Sequence, residues 1–209
     1  MCKQFFLFCT VLLGLATCGC SVAEPNTPIV AEGPVQWGET VGGLQMGIAA
    51  ETWSAPPGQP QPINPPLESV KIYIRNDGND ALMVLNPAAA PQLRTADPTQ
   101  ALVTILSGRG DSGPQPTVYI PAPNPPRFVE LTPTQMTWFS VPVTLPPAQP
   151  AAATTAPSNA ALWKFAAQYQ NSQSVIAVTP NGASGPATTV SGVWTGQISS
   201  GILQQNIYP

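Results

Sequence analysis

VKIYIR, residues 70–75, alternates apolar and polar side chains more regularly than any other stretch of the chain. In a strand with this period of two, its first, third and fifth side chains point to one face and face the core. The next residues, NDGND at 76–80, are of the kinds that tolerate a positive φ, and ALMVL at 81–85 has the composition of a second strand. The stretch therefore predicts a β-hairpin and a fold built from strands.

Outward from this stretch, short strand patterns alternate with connections rich in proline, of which the chain has 27. Proline neither continues a helix nor donates to a ladder, while an apolar content of 43% argues against wholesale disorder. Further strands are predicted at residues 44–49, 101–106, 117–120, 127–131, 136–145, 162–169, 175–178, 190–194 and 198–207. Pro142 places its strand at a sheet edge or a bulge, and the segment 160–169 also fits helical spacing, although a strand is preferred. The pattern predicts an all-β chain.

All four cysteines lie within the first twenty residues. Residues 1–20 have one early charge and then an apolar run that is too short to span a bilayer, which is typical of an export signal. The segment resembles bacterial lipoprotein signals, in which a cysteine after a small residue is acylated and becomes the mature N-terminus. Cys20, preceded by Gly19, is the predicted lipidation site, and Cys18 is the alternative. A plain secretion signal with a coincidental cysteine is the competing interpretation.

The remaining chain divides into a proline-containing tether at 21–34 and a single domain at 35–209. This length suffices for an ordinary hydrophobic core. After Cys20 the chain contains neither cysteine nor histidine. Disulfides, histidine acid–base catalysis, cysteine nucleophiles and Cys/His metal sites are therefore excluded in the predicted domain. We expect no cofactor and no enzymatic activity.

Charged residues make up only 8% of the chain, and its net charge is −3. This composition argues against a nucleic-acid partner, which a basic surface would attract. No polybasic stretch is present to bind anionic lipid, so membrane attachment depends on the predicted N-terminal lipid. The remaining candidate partners are another envelope protein or a glycan.

Two stretches resemble a known family. WGETVGGLQ at 37–45, followed by IRNDG at 74–78, and VWTGQISS at 193–200 resemble the ends of immunoglobulin-like β-sandwich domains in uncharacterised envelope lipoproteins of planctomycete-type bacteria. The resemblance implies an immunoglobulin-like antiparallel β-sandwich of roughly 7–9 strands with long proline-rich loops. It also implies an exported protein at the periplasmic or surface face of the envelope. It implies no activity.

The turn at 76–80 offers oxygen atoms that could bind a cation. Asp77, Asn79 and Asp80 are weak candidates for a Ca²⁺ site, because hard cations take six to eight oxygen ligands. The turn lacks the distal bidentate glutamate of a calcium loop. The same residue types are ordinary turn formers, and this second interpretation is preferred.

Five tryptophans provide a second candidate site. Most tryptophans in a β-sandwich belong to its core, but two exposed and coplanar rings would form a platform for sugars. A carbohydrate-binding module is therefore the first alternative to a structural, adhesive or protein-interaction role. A carboxylate-based glycoside hydrolase is the less favoured alternative, since Glu39, Glu68 and Glu130 are scattered and lie in no recognisable motif.

Overall fold

The computed structural model describes residues 29–60, 62–87, 98–143, 161–178 and 188–207. The predicted signal, both candidate lipidation cysteines and the first part of the predicted tether lie outside these residues. The strands are β1 Ile29–Glu32, β2 Gln36–Trp37, β3 Leu44–Ser54, β4 Leu67–Asn76, β5 Leu82–Leu85, β6 Ala101–Arg109, β7 Gln115–Pro121, β8 Phe128–Leu131, β9 Met136–Pro142, β10 Ala161–Asn171, β11 Val175–Val178, β12 Thr188–Ser191, β13 Gly196–Ser199 and β14 Leu203–Ile207. A 3-10 turn at Pro98–Gln100 precedes β6. No helix in these ranges is long and apolar enough to cross a membrane.

Two five-stranded antiparallel sheets contain most of the strands. In the first sheet the order is β1 and β2 together, then β3, β4 and β9. In the second sheet the order is β13 and β14 together, then β10, β6 and β7. Strands β5 and β8 form a separate pair, as do β11 and β12. The chain is therefore all-β, as its sequence pattern predicts.

The two sheets share one hydrophobic core, which the period-two pattern builds. In the central parts of β3, β4 and β10, alternate side chains point inward and are at most 1% exposed: Leu44, Met46, Ile48, Val70, Ile72, Ile74, Phe165, Ala167 and Tyr169. Burial of an aliphatic or aromatic side chain contributes roughly 1.5–3 kcal/mol, so these alternating positions are the main source of stability. The hydroxyl of Tyr169 donates to the carbonyl oxygen of Leu85 at 3.0 Å, which attaches β5 to the core.

Several individual expectations are confirmed and others need correction. Residues 161–169 of the ambiguous segment belong to a strand, β10, and Pro142 ends an edge strand, β9. The described residues form fourteen strands, above the expected 7–9, because one edge of each large sheet consists of two short strands and two short pairs are added. Residues Ile29–Glu32, which lie within the predicted tether, form β1 and pair with β3.

The predicted hairpin at 70–85 is wrong. Strand β4 pairs with β3 and β9, whereas β5 pairs with β8. The cause is Asn76, which ends β4 and is fully buried. Its side-chain amide donates to the carbonyl oxygens of Asp80 and Leu131, each at 2.7 Å, and its Oδ1 accepts from the backbone of Gly78 at 2.9 Å. These hydrogen bonds hold the start of the following segment next to the end of β8, so that β5 pairs with β8 and does not fold back along β4.

The adjacent edges of the two sheets meet backbone to backbone. A Cβ atom on Gly38 would lie 1.8 Å from the carbonyl oxygen of Ser199, so only glycine permits this approach. Gly201 donates its N–H to the carbonyl oxygen of Gln36 at 3.2 Å, and a Cβ there would lie 2.9 Å from the carbonyl oxygen of Trp37. The stretches at 37–45 and 193–200 therefore contact each other and close the core on this side.

We predict that Gly38→Ala destabilises the protein by about 3 kcal/mol or more, because the added methyl group must displace the backbone at Ser199. Gly113→Ala is the matched control, since a Cβ there meets nothing within 4 Å, and it should change stability by no more than ~0.5 kcal/mol. Urea denaturation of both variants measures the difference. Equal midpoints for the two variants would contradict the close contact at Gly38.

Candidate functional site

The outer face of the first sheet carries a row of aromatic side chains. Trp37 on β2 pairs with Gly47 on β3, Gly47 pairs with Tyr73 on β4, and Tyr73 pairs with Trp138 on β9. Tyr73 belongs to the polar set of the VKIYIR alternation, so its side chain points away from the core side chains of β4. We call Trp37, Tyr73 and Trp138, with Lys71 and Arg75 beside them, the aromatic face.

Gly47 makes the row continuous. A Cβ atom on Gly47 would lie 2.7 Å from the ring of Trp37, so the absence of a side chain lets the indole cover this position. The ring centroids of Trp37 and Tyr73 are consequently only 6.0 Å apart, with the planes tilted by 50°. A tilted pair at this separation lies within the range of favourable aromatic contacts. The rings are thereby fixed against the sheet.

Two cations pack on the aromatic rings. The Nζ atom of Lys71 lies 4.1 Å from the ring centroid of Trp138 and 5.4 Å from that of Tyr73. The guanidinium carbon of Arg75 lies 4.5 Å from the ring centroid of Trp37. Both distances to tryptophan are within the range of cation–π attraction, which also restricts the motion of the two long side chains. The aromatic face is thus a fixed arrangement of rings and charges.

Carboxylates neutralise both cations. Glu32 accepts a hydrogen bond from Lys71 at 2.8 Å and a second one from the hydroxyl of Tyr73. Asp77 pairs with Arg75 at 3.1 Å and accepts from the hydroxyl of Thr40 at 2.9 Å. The face is therefore polar without a net excess of positive charge. Such a surface fits an uncharged partner better than a polyanion.

The hydrogen bonds among Glu32, Lys71 and Tyr73 shift the pKa values of these side chains. The hydrogen bond that Lys71 donates to Glu32 is the main cause of a pKa of Glu32 below its usual value, and the hydrogen bond from Tyr73 adds to it. The hydrogen bond to Glu32 raises the pKa of Lys71. Burial raises the pKa of Tyr73 to about 12, and its bond to Glu32 adds to the shift. At neutral pH Glu32 and Lys71 thus form an ion pair, and the carboxylate also accepts a hydrogen bond from the protonated phenol of Tyr73.

The five tryptophans differ in exposure. Trp138 is 53% exposed, whereas Trp194 is 7% exposed and its indole N–H donates to the carbonyl oxygen of Gly42 at 3.0 Å. The others are half-buried: Trp37, Trp53 and Trp163. The two exposed and coplanar tryptophans of the carbohydrate hypothesis are therefore not found among the described residues. The aromatic face offers one exposed tryptophan beside a tyrosine and a half-buried tryptophan instead.

A cavity of about 400 Å³ lies between the two sheets, at the end of the core away from Asn76. Its wall is mainly apolar and includes Val70, Val118, Val141, Trp163 and Phe165. Ser107 and Thr117 add hydroxyl groups, which lie 3.3 Å apart. Nothing in the described part of the chain identifies a ligand for it.

The weak cation candidates do not come together as a ligand set. Asp77 is engaged by Arg75 and Thr40, Asp80 supplies a backbone carbonyl to Asn76, and Asn79 is exposed. Within the described ranges, no group of three or more acidic side chains is close enough to hold a metal ion. The Ca²⁺ hypothesis stays a prediction without added support.

The acidic residues proposed for hydrolysis are dispersed. Glu39 lines a shallow cavity with Gln197 and Ser199. Glu68 and Glu130 are exposed on β4 and β8, in different sheets. In the described part of the chain, the arrangement offers no facing carboxylate pair built from these three residues. The hydrolase alternative gains nothing from the geometry.

The row of Trp37, Tyr73 and Trp138 was not predicted from the sequence, in which each tryptophan was considered individually. The available signal was Tyr73, an aromatic residue at an outward position of an otherwise regular alternation. Its partners Trp37 and Trp138 lie far away in the chain, and only strand pairing brings them together.

Comparisons with protein-family models, with curated proteins and with solved structures gave no match for this chain.

We predict a steep alkaline loss of stability that depends on Tyr73. Between pH 10 and about 12 the unfolded chain gives up the tyrosine proton while the folded chain retains it, so the free energy of unfolding falls as pH rises. Tyr73→Phe should reduce this loss by about 1–3 kcal/mol. Chemical denaturation at pH 8 and at pH 11.5 measures it.

Tyr169, whose pKa burial also raises, keeps its own contribution in both proteins, so a residual slope is expected. At pH 8 the variant should be less stable by about 1 kcal/mol, because the hydrogen bond to Glu32 is lost. An identical alkaline slope in the two proteins would contradict the role of Tyr73.

Proposed function

We propose that this chain is a non-enzymatic, lipid-anchored protein of the bacterial cell envelope with a structural, adhesive or protein-interaction role. The observation that carries the proposal is the aromatic face. It concentrates an exposed tryptophan and two of the chain's seven basic residues on one sheet surface, and it holds them by mutual contacts. Rigid aromatic and arginine side chains are the kinds that dominate binding energy at protein surfaces.

The fold that we propose for this role is an immunoglobulin-like β-sandwich. Two antiparallel sheets around a common core support it, as does the contact between the two stretches that resemble that family. Such a module needs no catalytic group in order to work. It needs a stable core, a surface to present and an attachment to the envelope.

The anchor is tested by metabolic labelling with a palmitate analogue and membrane fractionation of the full chain. We predict that the native sequence is labelled and sediments with membranes, and that Cys20→Ser loses both the label and the membrane association. Cys18→Ser is the matched control and should behave like the native chain. Label lost only from Cys18→Ser moves the site to Cys18. An unlabelled and secreted native chain would overturn the anchor.

Carbohydrate binding is the second candidate function, and one observation favours it. Trp138 presents a half-exposed indole in a row with other aromatic rings, on a face whose charges are internally paired. Sugars stack on such rings through their apolar faces, and a neutral polysaccharide brings no charge that must be compensated.

We predict that, if this candidate holds, the full chain binds amorphous cellulose or chitin in a pull-down, and that Trp138→Ala weakens binding about tenfold or more. Met136→Ala is the control, because Met136 is 48% exposed on the same strand and the same face but is not aromatic. No binding to either polysaccharide, or equal losses in the two variants, would leave adhesion to a protein as the role of this face.

A further inference from the structure

Within the described residues the two five-stranded sheets have four outer edges, and three of them are broken, bulged or contain proline. The β1–β2 edge is broken at residues 33–35, and the β13–β14 edge at 200–202. Strand β7 carries Pro116 and Pro121, and its pairing with β6 shifts register twice. Interruptions, prolines and bulges are the means by which sheet edges avoid pairing with other chains.

The fourth edge, β9, has none of these protections along its length. It forms seven consecutive pairs with β4 without a shift of register, and its proline is the last residue. The strand, MTWFSVP, contains no charged side chain. Two of its outward side chains, Met136 and Trp138, are 48% and 53% exposed. An uncharged and regular edge with exposed apolar groups is a template for an additional strand.

The backbone pattern shows which groups of β9 are free. The backbone N–H of Asn76 donates to the carbonyl oxygen of Gln135, and that of Val143 donates to the carbonyl oxygen of Glu68. The backbone N–H and C=O groups of the odd-numbered residues of β9 therefore point toward β4 and bond to it. The N–H and C=O groups of Met136, Trp138 and Ser140 therefore point away from the sheet. Within the described residues no other strand pairs with them.

We propose that β9 is a self-association edge, at which two copies of this chain pair β9 with β9 in antiparallel orientation about a two-fold axis at Trp138. In this register Met136 faces Ser140 of the second copy and Trp138 faces its own equivalent. All three free N–H groups of each copy then find a carbonyl partner, since antiparallel residues in such pairs exchange both bonds. The contact is isologous, as in most homodimers.

A second copy fits this edge because a two-fold axis places equal residues close together. A charged β9 would bring like charges into opposition, and this strand has none. The pairing also places the two indoles of Trp138 side by side on the outer face, with Cα atoms about 5.5 Å apart. Part of the exposed apolar surface of each Trp138 is then covered by its equivalent. The inference does not depend on the lipid anchor or on a glycan ligand.

Ser140→Pro tests the edge directly. It removes a free N–H and blocks the approach of a second strand, and it leaves the bonds to β4 intact because Ser140 occupies a position that does not bond to β4. Ser140→Ala is the matched control. We expect sedimentation velocity of the full chain in density-matched detergent to show a dimer for the native chain and for Ser140→Ala. The dissociation constant of the Ser140→Pro dimer should be at least tenfold higher than that of the native dimer.

Cysteine cross-linking gives a second measurement in membranes, independent of how well Ser140→Pro folds. Trp138→Cys should form a disulfide dimer under mild oxidation, because a Cα separation of about 5.5 Å suits a disulfide. Gln197→Cys, on the exposed part of β13, and the parent chain are the controls and should not cross-link.

A native chain that stays monomeric at every concentration would overturn the proposal. So would a dimer that Ser140→Pro leaves unchanged, a cross-link at Gln197→Cys in place of Trp138→Cys, or a complex in which a different protein occupies β9. Loss of polysaccharide binding or of the lipid label, with the dimer retained, would affect only the proposed function.

Discussion

The direct backbone contact between the two sheets, at Gly38 and Ser199 and again at Gly201 and Trp37, is the constraint on which the rest of the structure depends. Side chains normally hold stacked sheets about 10 Å apart, so a backbone approach is possible only at an edge and only where Cβ atoms are missing. The contact fixes β2 and β3 over β10 and β13, and it closes one side of the shared core. The opposite side, between β9 and β7, has no such closure in the described residues.

The local elements were readable from the sequence because burial follows the period of two. The alternation at 70–75 is strand β4, and its three apolar residues are fully buried. The pairing of strands was not readable in the same way. The residues 76–80 are ordinary hairpin formers, yet the side chain of Asn76 bonds to Leu131, far away in the sequence. A buried amide of this kind overrides a local turn preference, because leaving its donors unpaired would cost about 1–3 kcal/mol.

The aromatic face could not be predicted for the same reason. Its three rings come from β2, β4 and β9. Taken alone, each of them is a residue type that is also common in protein cores. The row exists because Gly47 leaves a gap that the indole of Trp37 covers. In the sequence alone, a glycine inside a strand indicates only a weaker strand. In a chain with 8% charged residues, ionic groups gathered on one face stand out.

The proposed anchor, the aromatic face and the β9 edge are connected by geometry. Antiparallel pairing of two β9 strands places the two-fold axis perpendicular to the merged sheet, so the outer faces of both copies point in the same direction. If the proposed N-terminal lipids hold two copies in one membrane, the copies are equivalent only when that axis also runs along the membrane normal. The aromatic faces would then form one continuous surface parallel to the membrane, with the paired Trp138 residues at its centre. A surface of this kind suits adhesion, since two identical half-sites act on one partner and each raises the effective concentration of the other.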